Sequence, residues 1–155
     1  MDNDQFDRVA VSAPLYVFAI TQPCYSCGHP LKTIALATKQ LVDPEFDDPE
    51  AMAGETCLLS NVESLPPDIL AAIQSQHSHY ESRFSQTTGH EYLMSVCRLC
   101  GAHQGDFYVH KALFEAACEA PGTVQVERLP VQGRWEICAG YSSSSAYEAL
   151  IERWE

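Results

Sequence analysis

The pentapeptide Cys24-Tyr25-Ser26-Cys27-Gly28 recurs in form as Cys97-Arg98-Leu99-Cys100-Gly101, which commits the chain to a fold that gathers four sulfurs. A two-residue gap lets one tight turn present both of its thiolates to a single ion, and two such turns complete a tetrahedral set. The glycine after each pair suits the same plan, because backbone N–H groups are most easily aimed at sulfur where no Cβ intrudes. Cys24, Cys27, Cys97 and Cys100 are therefore the expected ligands of a Zn2+ ion in a closed structural site. His29 and His103 follow the two turns and are candidates to replace a cysteine or to donate to a sulfur. Iron in a rubredoxin-like site is the alternative metal, since four thiolates suit both ions.

The segments around each turn read as hairpins. Leu15 to Ile20 is rich in β-formers and leads into the first turn, and Thr33 to Ala37 alternates on the way out. Glu91 to Val96 enters the second turn, and Phe107 to Val109 reads as its returning strand. With 69 residues between Cys27 and Cys97, the ion would join two distant hairpins, at an entropic cost that grows only slowly with loop length. Pro66-Pro67-Asp68 opens a helix whose apolar stripe, from Ile69 through Tyr80, predicts a segment over about 66–84. A second helix is expected at 111–120. A third, at 146–154, begins with Ser145 and Glu148 as a capping box and has Tyr147, Leu150, Ile151 and Trp154 on one face. Thr123 to Leu129 and Trp135 to Gly140 alternate with period two and read as a further hairpin. The expected fold is α+β: antiparallel hairpins joined by a four-cysteine zinc site, with about three packed helices, in one domain over 1–155.

Charge narrows the possible partners. The chain carries 9 Lys plus Arg against 21 Asp plus Glu, a formal net charge of −12. Zinc modules that bind nucleic acid use a basic face, and no Lys/Arg cluster is present, so a nucleic-acid-associated zinc ribbon is the weaker alternative. Val42 to Glu55 holds six acids and no base and reads as an acidic surface loop; it lacks the glycine and terminal Glu of an EF-hand calcium loop. No apolar run approaches the roughly 18 residues a membrane helix needs. The acidic amino terminus and the odd count of seven cysteines predict a cytoplasmic address, with Cys57, Cys118 and Cys138 as buried free thiols.

A catalytic set is thin. His77 and His79, two apart, point different ways on a helix. His90, Asp106 and His110 flank the second hairpin and are the candidates for a small His-based or metal-dependent enzyme, although Gly105-Asp106 reads first as turn chemistry. No nucleophile elbow, phosphate loop or HExxH is present. The balance favours a non-enzymatic, acidic interaction module with a basic protein partner, its sharpest form being an immunity or antitoxin-like inhibitor of a basic bacterial toxin.

Thr87-Thr88-Gly89 through Tyr92, Cys97 to Ala102, Gln104-Gly105-Asp106-Phe107 and His110 together resemble a segment of uncharacterised bacterial proteins with CxxCG zinc knuckles of zinc-ribbon type. The resemblance covers a minor part of the chain. It implies zinc and a bacterial origin and brings no activity with it.

Overall fold

A computed structural model describes residues 8–44 and 53–155. In chain order the strands are β1 (Arg8–Ser12), β2 (Leu15–Pro23), β3 (Pro30–Val42), β4 (Ala53–Ser60), β5 (Tyr80–Ser85), β6 (His90–Val96), β7 (His103–Gln104), β8 (Gln125–Arg128), β9 (Arg134–Cys138) and β10 (Gly140–Ser143). The helices are α1 (Pro67–Gln74), α2 (Asp106–Glu119) and α3 (Ser145–Trp154), with one 3-10 turn at Pro121–Thr123.

A seven-stranded antiparallel sheet forms the middle layer. The long β3 pairs with β2 from Pro23↔Pro30 to Leu15↔Thr38 and then with β1 at Val11↔Leu41 and Ala10↔Val42. β4 pairs with β3 at Ala37↔Leu58 and Thr38↔Cys57, and β10 lines the far side of β4. Residues alternate between two cores, which explains why Leu15 to Ile20 is apolar without interruption. Val17, Ala19, Ile34 and Leu36 enter one core with Ile69 and Ile73 of α1 and Leu93 of β6. Tyr16, Phe18, Ala35 and Ala37 enter the other with Leu113 of α2 and Leu150 and Ile151 of α3. A strand covered on both faces has no polar side to show. The second sheet has the order β5-β6-β7.

The mixed α/β architecture with antiparallel sheets and three helices agrees with expectation, but several elements differ. The helix expected over 66–84 ends at Gln74, and Tyr80–Ser85 is a strand paired with β6. The run Ser75-Gln76-His77-Ser78-His79 is poor in helix formers, and the cross-strand ladder with β6 takes the next residues instead. Phe107 to Val109 is the first turn of α2, not a strand: extended Gly105 is the N-cap and Asp106 favours the positive helix end. The second knuckle returns instead through β7, at Val96↔His103 and Ser95↔Gln104. β8 and β9 do not pair with each other. They run in succession along β2 and β1, from Ala19↔Gln125 to Arg8↔Cys138, with Leu129 N–H donating to Leu15 O and Ala13 N–H to Gly133 O between them. The cap of α3 is Ser144, whose hydroxyl accepts from Ala146 N–H at 3.1 Å, one residue before the expected Ser145.

The expected acidic loop over 42–55 is shorter at both ends, because Val42 closes β3 and Ala53 opens β4. Asp43 is buried and accepts a hydrogen bond from the Tyr141 hydroxyl at 2.7 Å. Glu45 through Met52 lie outside the described residues. Of the three remaining cysteines Cys57 is buried and Cys138 half-buried, but Cys118 is exposed, since α2 turns Val109, Leu113 and Ala117 inward instead. Among the described residues no helix is long and apolar enough to cross a membrane.

Candidate metal centre

Each knuckle sits at the end of a strand pair and is closed by the same two backbone bonds. Cys24 N–H donates to His29 O at 2.8 Å and Gly28 N–H to Cys24 O at 2.9 Å; Cys97 N–H donates to Ala102 O and Gly101 N–H to Cys97 O, both at 2.8 Å. Gly28 and Gly101 adopt φ of +79° and +80°, the left-handed region that only glycine enters freely. Two local sequences thus build one turn twice, and the sheets bring the turns face to face.

The four Sγ atoms all lie within 4.8 Å of one another, with Cys24–Cys100 at 3.6 Å and Cys27–Cys97 at 3.8 Å. Four thiolates about 2.3 Å from a central zinc would be spaced about 3.8 Å apart. The cluster therefore has the dimensions of a tetrahedral metal site and could hold an ion. Cys24 and Cys97 are buried while Cys27 and Cys100 are exposed, so one side of the cluster faces solvent.

Burial works against the Cys24 thiolate, but hydrogen bonds from the Cys27 and Ser26 backbone, with Cys100 and Gln104, outweigh it and bring the thiol down to about 6. Cys27 goes the other way. A hydrogen bond from the His29 backbone favours its thiolate, yet desolvation and the sulfurs of Cys100, Cys97 and Cys24 push it up to about 11. Crowded sulfurs resist collecting negative charge, and a divalent cation among them removes that penalty.

Neither histidine replaces a cysteine in the cluster. His29 contributes through its backbone, and His103 lies in β7. Sequence reasoning missed Gln104, which has no exposed surface. Its Nε2 donates to Cys24 Sγ at 3.3 Å and to Ala102 O at 3.1 Å, while its Oε1 accepts from Tyr25 N–H at 3.0 Å. Only its position, three residues past a knuckle glycine, hinted at this.

The acid and base candidates separate. A cavity of about 760 Å³ opens beside the knuckles, and Asp106 and His110 both line it. His110 Nε2 lies 3.8 Å from Asp106 Oδ1, and Asn61 N–H donates to Asp106 Oδ2 at 2.5 Å. Burial raises the Asp106 carboxyl above its ordinary value, opposed by His110 and the Asn61 bond; burial lowers His110, opposed by Asp106. An acid and a base held like this can exchange a proton with a bound group or hold a charged one. His90 begins β6 opposite Ser85, with its Nε2 buried and unpartnered. His77 and His79 do not share a ligand position: His77 is buried with Nε2 3.1 Å from Glu127, and His79 Nε2 meets the Lys32 carbonyl.

No protein-family model, curated protein or solved structure matches this chain.

Proposed function

We propose that Cys24, Cys27, Cys97 and Cys100 bind one zinc ion in a closed structural site, and that the chain serves as a non-enzymatic binding protein for a basic protein partner. The observation that carries the metal half is the spacing of the four sulfurs, 3.6 and 3.8 Å for the two pairs in contact, on two knuckles of matching backbone. Four protein ligands fill a tetrahedral ion and leave no position for substrate, so such zinc holds structure and does not react. It would join the tip of β2–β3 to the tip of β6–β7, two hairpins that are also linked by Ile34 N–H donating to Ser95 Oγ at 3.2 Å and by the Gln104 bonds to Tyr25 and Cys24.

Charge supports the partner half. Asp2, Asp4 and Asp7 in the stretch 2–7, and Glu45, Asp47, Asp48 and Glu50 in the stretch 45–50, are seven acids with no Lys or Arg among them. The acidic excess is thus concentrated in two sequence segments, which favours attraction to a basic protein and disfavours nucleic acid. An antitoxin-like inhibitor of a basic toxin is the most specific form of this reading.

Elemental analysis of the purified chain should give about one zinc per molecule in a colourless sample, and chelation should lower its melting temperature. A red, iron-containing sample, or melting indifferent to chelation, would overturn the zinc assignment. For the partner, complexes stable at low salt should dissociate as salt rises, since the attraction is electrostatic.

A further inference from the structure

We propose that the cavity beside the knuckles is a binding site for a small organic cation, a protonated nitrogen carried on an apolar or aromatic body, with Asp106 as its counter-ion. The cavity, about 760 Å³, lies where the β5–β6 turn, the end of β4 and the start of α2 meet. This is the size of a site for a whole small molecule and more than one lysine side chain fills.

The chemistry of its wall selects the ligand. Among the described residues Asp106 is the carboxylate that lines the cavity, and only one of its oxygens holds a hydrogen bond. Oδ2 accepts from Asn61 N–H, while the nearest cation-forming group to Oδ1 is His110 Nε2, at 3.8 Å, beyond hydrogen-bond reach. A desolvated carboxylate with an unfilled oxygen gains most from a charged donor. Lys111, the one Lys or Arg lining the cavity, lies 3.4 Å from Glu115 instead. The helix end that would otherwise welcome an anion already carries Asp106 in its first turn.

Aromatic rings complete the match. Tyr25, Tyr92, Phe107 and Tyr108 line the cavity; Phe107 is 85% exposed and Tyr25 60%, and the Tyr25 and Tyr108 rings meet edge to face at 6.3 Å. Such faces attract a cation and shelter its apolar body. Tyr92 is itself fixed, its hydroxyl accepting from Asp106 N–H at 3.2 Å, so the carboxylate and one ring are held in register. The net charge of −12 raises the local concentration of any cation. The site depends on neither the zinc assignment nor the protein partner.

The test titrates the metal-loaded, full-length chain with 2-phenylethylammonium, with its neutral isostere 2-phenylethanol and with N-acetyl-lysine amide, followed by amide chemical shifts. The ammonium should saturate with a Kd of about 1 mM or tighter, perturbing Gly105 to Lys111, within what so small a ligand can reach. Asp106→Asn keeps an acceptor for Asn61 N–H and should weaken the ammonium about tenfold or more while leaving the alcohol unchanged. Phe107→Ala, at an exposed position, should weaken it several-fold with no change in melting temperature. Equal binding of alcohol and ammonium, or an ammonium Kd indifferent to both variants, overturns the proposal. Tighter binding of the lysine derivative overturns the assignment to a free small molecule.

Discussion

Gln104 reaches across from the second hairpin to the first knuckle, donating through Nε2 to Cys24 Sγ at 3.3 Å while its Oε1 accepts from Tyr25 N–H at 3.0 Å. One side chain with no exposed surface therefore orients the Cys24 sulfur and fixes the turn that carries it. Gln104→Leu should weaken metal binding about 10- to 100-fold, the usual scale for losing a partner of a metal ligand. Gln104→Glu should weaken it too, because it keeps the acceptor for Tyr25 and replaces the donor beside sulfur with negative charge. Competition against a chromophoric chelator reads both variants; unchanged affinity in either would remove Gln104 from the site.

The two knuckle glycines provide an internal comparison. At Gly28 and Gly101 an added Cβ meets nothing within 4 Å, so the cost of alanine there is purely conformational and arises from φ of +79° and +80°. Gly28→Ala and Gly101→Ala should each lose about 1–2 kcal/mol, and the asparagine variants less. Denaturant unfolding of the metal-loaded chain checks this. A free substitution at one glycine and a costly one at the other would show that the turns are not equivalent.

Local sequence made the knuckles and the β2–β3 hairpin legible, because turn, spacing and apolar run lie within a few residues of one another. What depended on distant partners was not. Tyr80 to Ser85 carries a helix-compatible stripe and becomes a strand only because β6 offers it a ladder. β8 and β9 have the alternation of hairpin arms, yet the β2–β1 line gives each a longer-range mate. The Asp106–His110 pair needed α2 to start five residues earlier than its apolar pattern suggested, which places the two on adjacent turns of one helix face. Gln104 carried no signal of its own, since its meaning comes from a sulfur 80 positions away.

Thiol chemistry should follow exposure. Burial, helped by Glu55, pushes the Cys57 thiol up to about 11, so it offers almost no thiolate at neutral pH, whereas Cys118 is exposed on α2. With metal holding the four knuckle cysteines, iodoacetamide near pH 8 should modify Cys118 first and Cys57 only after unfolding. Peptide mass mapping locates the label, and Cys118→Ser should abolish the fast phase. Early modification of Cys57 would contradict its place in the core.

Acid sensitivity should arise in part from two histidines. His79 and His110 are both lowered below their ordinary value, chiefly by desolvation, despite the Lys32 carbonyl beside the first and Asp106 beside the second. In the window just below the unfolded histidine value of about 6.5, the unfolded chain binds more protons than the native one, so native stability is full above that value and declines as pH falls through it. Asp106 has the opposite sign. Its raised carboxyl holds a proton more tightly in the native state, which favours folding at lower pH, in the carboxylate range. Release of metal from protonated thiols also destabilises in acid, so the comparison is made between variants at saturating zinc. Between about pH 7.5 and 5.5 the parent should lose melting temperature, and His110→Gln should lose measurably less, because it removes a site that must be discharged on folding. Parallel pH profiles for parent and His110→Gln would mean that the imidazole is as freely protonated in the folded chain as outside it.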